Sequence, residues 1–168
     1  MGILTTEKFN SLEDLFSHEL KDLYDAEHRI SEALPKMAER ANNPELKRAF
    51  ENHLRQTEKH IERLESVFEH RGCEPERVKC DGIAGLIKEG SHVLDAEGDS
   101  DAIDAGLICA AQKVEHYEMA GYGTARTFAR QLGDSYSAEL LEQTLDEEKE
   151  TDHKLTEIAE GAVNPASA

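Results

Sequence analysis

Apolar residues return at three- and four-residue steps along most of this chain. Leu12, Phe16, Leu20, Leu23, Ile30, Leu34 and Met37 form the first stripe and predict an amphipathic helix over residues 11–41. Ser11, with Asp14 three residues on, reads as its start signal, and Pro35 is expected to bend its last turns. The stretch "ANNPEL" makes a turn, with Asn43 as N-cap and Pro44 in the first helical position. A second helix over 44–71 carries Leu46, Phe50, Leu54, Ile61, Leu64 and Phe68, and Gly72 stands where a C-cap belongs.

Between Cys73 and Asp101 the pattern weakens to one short helix, 83–94, flanked by glycine-rich ends. A third long helix is expected over 102–132, with Ile103, Leu107, Ala110, Val114, Ala125 and Phe128 inward. "LGDSYS" caps it and opens a fourth, in which Leu141, Leu145, Leu155 and Ile158 recur up to residue 160, before a tail, 161–168, expected to fray. Two helical hairpins joined by a connection of this length predict a single all-α domain. Its architecture is an antiparallel four-helix bundle of ferritin-like topology, because only a long crossover spans the bundle. No 34- or 40-residue signature is shared between the halves, which argues against a helical repeat.

Four positions break the stripes. Glu27 sits between Leu23 and Ile30 where an apolar residue is expected, Glu115 and Glu118 flank the inner face of the third helix, and Glu148 follows Leu145 on the fourth. Asp152 lies one turn beyond Glu148, while His53 and His60, with Thr57 between them, continue the stripe from Phe50 to Leu64. With turns centred near Asn42 and Gly133, Glu27, Glu118 and Glu148 are equally distant from their turns, so antiparallel packing brings them to one level. Several carboxylates in a dry interior repel one another and each carries a desolvation cost of several kcal/mol. No lysine or arginine shares these stripes, so two divalent cations are the natural counterions. Mixed oxygen and imidazole donors suit iron or manganese. Bundle cores hold such pairs with a Glu on each of two helices and Glu-x-x-His on the others, a pattern met here only in part. His116 is expected to point outward, and Tyr24, Tyr117 and Tyr122 to pack with their hydroxyls on carboxylates.

Composition narrows the function. Asp and Glu number 36 against 19 Lys and Arg, a formal charge of −17, which disfavours nucleic acid and favours cations. Such an excess accompanies either a high-salt habitat or an ordinary solvated helical surface. No apolar run approaches a membrane span and no signal sequence is evident, so a soluble cytoplasmic protein is expected. "MGILTT" matches a myristoylation pattern at Gly2 without other support for an anchor. Cys73, Cys80 and Cys109 lack CxxC spacing and predict neither a zinc knot nor disulfides, with Cys109 on an apolar face.

The segments "LYDAEHRI", "HLRQTEKHIERLE", "QKVEHYEMAGYGT" and "LDEEKETDHKL", in this order and with the crossover after the second, resemble the YciF type of ferritin-like proteins over residues 12–159. That resemblance implies a stress-associated protein of bacteria and archaea with a dinuclear iron or manganese centre, a dimeric assembly, and ferroxidase or oxidative-stress chemistry with O2 or peroxide. Gly121 and Gly123 are small residues suited to such a dimer. Members often carry acidic residues where this chain has Arg55 and Gln56, which leaves His53 as the second helix's ligand, with His60 the alternative. The expected ligand set is Glu27, His53, Glu115, Glu118, Glu148 and Asp152. A non-catalytic stress or interaction bundle with a structural metal is the competing reading.

Overall fold

A computed structural model describes residues 8–168. It is all-helical, with no strand and no disulfide among those residues. Gly2 lies outside them. Four long helices, α1 (Leu12–Arg40), α2 (Pro44–His70), α4 (Ser100–Gln131) and α5 (Ser135–Ile158), form the body, and the shorter α3 (Asp81–Leu94) lies in the connection from α2 to α4. Each begins on a local signal: Ser11 Oγ accepts the Asp14 amide at 3.1 Å, Asn43 caps α2 ahead of Pro44, and Asp99 caps α4. Gly72 and Gly133 turn the chain after α2 and α4 with φ of 71° and 78°, a region costly for other residues. Pro35 stands inside α1 without interrupting it, on the exposed side.

Contacts at the helix ends fix the directions. Arg71 reaches Glu13 while α2 starts beside the end of α1, so these two are antiparallel. Buried Asp104, near the start of α4, accepts the amides of Asn42 and Asn43 at 2.9 and 2.6 Å, and Tyr117 reaches back to Asp22, so α4 also opposes α1. Arg71 and Lys154 bind Asp134 and Glu45, which sets α5 against α2. Since α2 and α4 therefore run the same way, the chain between them must travel the length of the bundle, and 71–99 does so. Buried Asp25 pins that crossover through Arg77 at 2.8 Å and the Cys80 amide at 2.8 Å.

Three expectations need correction. The tail is helical, as a π-helical turn (Ala159–Val163) and α6 (Asn164–Ser167), because buried Val163 joins the core around Ile158. Cys109 is exposed, not on the apolar face. Gly121 faces inward: a Cβ there would meet Leu23 Cδ2 at 2.8 Å, so its small size serves the approach of α4 to α1.

The apolar interior is divided. One cluster gathers Ile30, Leu34, Phe50, Ile83, Leu107 and Leu155; the other gathers Phe16, Leu20, Leu64, Phe68, Tyr122 and Leu141. Between them lies a layer of buried polar side chains. No helix among the described residues is long and apolar enough to cross a membrane.

Candidate metal centre

Each long helix contributes to the polar layer from its inward stripe. Glu27 comes from α1, His53, Thr57 and His60 from α2, Glu115 and Glu118 from α4, and Glu148 from α5, all at most 3% exposed. Helical spacing explains the alignment: His53, Thr57 and His60 are four and three residues apart, and Glu115 and Glu118 three apart, so each set points to one side.

Two groups of possible donors form, each with one ligand atom per residue and all atoms within 4.8 Å of one another. His53, Glu115, Glu118 and Glu148 make one; Glu27, His60 and Glu148 make the other. Glu148 belongs to both. His53 Nε2 lies 3.2 Å from Glu115 Oε1, while His60 Nδ1 lies 3.0 Å from Glu148 Oε1 and 3.2 Å from Glu27 Oε1. Yet Glu27 Oε2, His53 Nε2, His60 Nδ1, Glu115 Oε2 and both oxygens of Glu118 and Glu148 have no hydrogen-bond partner among the described residues. Buried polar atoms are seldom left so, and here they converge on one space.

The electrostatics follow from burial and crowding. Burial, then the charges of Glu148, Glu27 and Glu115, holds the Glu118 carboxyl well above its ordinary range, and burial pushes Glu115 up to about 8. Burial also lowers His53, which favours the neutral imidazole that ligates metal. His60 goes the other way. Burial opposes its charge, but the Glu27, Glu147 and Glu148 carboxylates around it outweigh this and push it up to about 12.

Outside the groups, support differs from residue to residue. Glu147 Oε2 meets His60 Nε2 at 2.8 Å, and Arg63 grips both Glu147 oxygens at 2.7 Å. His60 and Arg63 hold Glu147 down to about 2, so it is a fixed acceptor that leaves His60 Nδ1 facing the carboxylates. Tyr122 donates to Glu27, Tyr24 to Glu65, and Tyr117 to Asp22. Asp152 stands apart from both groups: Gln112 donates to it at 3.2 Å and the exposed His116 lies 3.3 Å away. The sequence favours His53 over His60, whereas the structure brings both into the layer. Their seven-residue spacing on one stripe was the available signal. Nothing local distinguished Glu147, whose role depends on Arg63 and His60 across the α2–α5 contact.

Comparison with known proteins gives the family. Residues 11–168 match the family described as a domain of unknown function, DUF892. The chain belongs to the DUF892 family. Protein YciF of Escherichia coli K12 is 46% identical over 155 residues, covering 92% of this chain and 93% of YciF. The crystal structure of that E. coli stress protein superposes with a TM-score of 0.89 at 45% identity, covering 93% of this chain and 99% of the other. YcfI from Rhodopseudomonas palustris, a candidate structural protein, gives 0.88 at 41% identity over 91% and 98%. The crystal structure of a protein from Xanthomonas campestris gives 0.71 at 25% identity over 94% of this chain and 95% of the other.

Proposed function

We propose that this protein is a ferritin-like dimetal carboxylate protein of the stress response that oxidises Fe(II) with O2 or consumes peroxide. The observation that carries the reading is the set of buried, unpartnered donor atoms on Glu27, His53, His60, Glu115, Glu118 and Glu148. The donor set fits: mixed oxygen and nitrogen atoms suit iron or manganese, and two cations offset carboxylates that otherwise stay protonated. His53, Glu115, Glu118 and Glu148 would hold one ion, and Glu27, His60 and Glu148 the other. Bound there, two Fe(II) ions would supply the two electrons that, with two protons, reduce O2 to hydrogen peroxide; a manganese pair would supply the conversion of two peroxides to two waters and one O2. The chain's own residues do the rest. Glu147 and Arg63 orient His60, Tyr122 orients Glu27, and Glu115 and Glu118 give up protons as the cations bind.

Anaerobic titration with Fe(II) tests this: about two ions per chain are expected, with a diferric absorption band on exposure to air. A value near zero sinks the reading. The R. palustris relative's description favours a second reading, a structural bundle that binds metal without oxidising it. Full loading with no optical change in air would select that one. The proposal extends to a cytoplasmic homodimer, on the YciF resemblance, and light scattering at micromolar concentration that shows only monomer rejects the dimer.

A further inference from the structure

The two halves of the polar layer differ in how they meet the outside. Among the side chains that carry unpartnered donor atoms, His53 and Glu115 are 3% and 2% exposed, while Glu27, His60, Glu118 and Glu148 are each 0% exposed. The difference follows the seam between α2 and α5. From Glu45 to Lys59 on α2 and from Glu150 to Glu157 on α5, the seam holds a groove of about 770 Å³ whose lining includes His53 and Glu115. One turn further along α2, the seam is shut. Arg63 grips both oxygens of Glu147 at 2.7 Å and donates to Thr144 at 3.2 Å, and Glu147 meets His60 Nε2 at 2.8 Å. With side chains 20% and 29% exposed, Arg63 and Glu147 form the outer cover of His60.

A second opening also reaches His53 and Glu115, a small pocket beneath α3 whose other described lining residues are all apolar, Ile30, Ile87 and Val114 among them. Oxygen donors distinguish the two. A divalent ion that gives up water needs each vacated position refilled, because an uncompensated charge away from water is costly, and carboxylate and carbonyl oxygens suit manganese and similar ions. The groove supplies such oxygens on Asn52, Gln56 and Glu150, whereas the side chains of the pocket supply none beyond Glu115 itself. Arg55 and Lys59, exposed along the α2 wall of the groove, work against a cation there, so their charge is a handle on the rate of passage.

We propose that the groove between α2 and α5 is the loading port of the dimetal centre, and that the position formed by Glu27, His60 and Glu148 is sealed behind the one at His53, so that two ions load and leave in sequence. The inference rests on the dimetal reading. Glu148, common to both groups, hands an ion from the outer position to the inner one. Arg63 and Glu147 close the direct way to His60.

Radioactive Mn(II) is the probe, and no turnover is needed. Protein loaded with the label and then chased with excess unlabelled Mn(II) should release one labelled ion quickly and the other slowly. Raising the unlabelled Mn(II) tenfold should slow the second release by about tenfold, because the inner ion leaves only during the fraction of time that the outer position is vacant. A second release indifferent to the chase concentration overturns the sequence. Arg63→Leu opens the sealed part of the seam, so its second release should lose that dependence, a change that weakened affinity alone does not produce; a dependence that persists overturns the seal. The port is tested by uptake into the metal-free protein. Lys59→Glu, an exposed change on the groove wall, should speed it by about three- to tenfold at low ionic strength, with the gain fading as salt is added. The same reversal at exposed Lys88 on α3 should leave uptake unchanged, and a response to Lys88→Glu that equals or exceeds that to Lys59→Glu overturns the port. A parent that fails to bind two ions refutes the dimetal reading; one that binds two and releases both without regard to unlabelled metal leaves that reading standing and refutes the sequence alone.

Discussion

His53 and His60 lie seven residues apart on one stripe of α2, yet their surroundings are opposite. His60 is fully enclosed, its Nε2 tied to a glutamate that is itself gripped by Arg63. Among the described residues, His53 meets Glu115 Oε1 at 3.2 Å and Thr151 Oγ1 at 3.5 Å, and it forms part of the lining of both the groove between α2 and α5 and an apolar pocket beneath α3. One imidazole is held charged by carboxylates, the other is driven neutral by burial. The difference teaches a division of labour: the α1 side of the layer is built for rigidity, the α2–α4 side for access. Glu148 joins the two.

The largest effect is expected where the two halves meet. Glu148→Leu removes the carboxylate common to both groups, so metal retained after dialysis should fall from about two ions per chain to near zero. Retention of one ion would show that the halves are independent.

Glu118→Leu strikes only the His53 half. Both Glu118 oxygens are buried and unpartnered, so their removal should stabilise the metal-free protein by ~1–4 kcal/mol, the range seen when buried charges are replaced by apolar residues. A metal that binds only the folded chain stabilises it by mass action, so the melting temperature should gain much less from added Fe(II) or Mn(II) than the parent's does. Paired anaerobic melts decide, and a full parental gain would remove Glu118 from the ligand set.

Glu147→Leu acts on the His60 half alone. Loss of the partner that orients a ligating histidine costs about 10–100-fold in metal affinity. Competition with a chelator should show one of two sites weakened by that factor, and Glu147→Gln, which keeps an acceptor, should recover much of it. If both sites weaken equally, the two halves do not differ as described.

A further effect is the pH dependence of the metal-free protein. Glu115 is raised from 4.5 to about 8, so between these values the folded state binds more protons than the unfolded chain and stability falls as pH rises. His60, raised from 6.5 to about 12, adds a decline in the same direction above its unfolded value. Glu147, lowered to about 2, acts at the other end, its contribution being present above 4.5 and lost as pH falls toward 2. Melting temperature should therefore drop from pH 5 to pH 8 without metal. With metal bound the drop should shrink, because cations take the place of the protons; calorimetry in buffers of different ionisation heat reads that proton release.

Much of this was legible in the chain itself. Strong periodicity and cap residues such as Ser11, Asn43 and Pro44 marked the long helices to within about two residues, and a glutamate between Leu23 and Ile30 announced a buried carboxylate. The ends of the chain were less readable. "GAVNPASA" has the composition of a frayed tail, but burial of Val163 against the core holds it helical.

Local patterns thus determined which residues turn inward, because the helical period depends on near neighbours alone. They determined that carboxylates and imidazoles share the core, and that a crossover separates two hairpins. Only the tertiary structure decided which inward residues meet. Asp152 shares a face with Glu148, yet the meeting of α4 and α5 gives it to Gln112 and His116. Asp25 and Asp104 are as buried as several members of the polar layer, yet one ties down the crossover and the other the α1–α2 turn. The pairing of Glu147 with His60 and Arg63, and the cavity beneath α3, likewise depend on helix rotation and separation. These are properties of packed surfaces far apart in sequence, and no local period carries them.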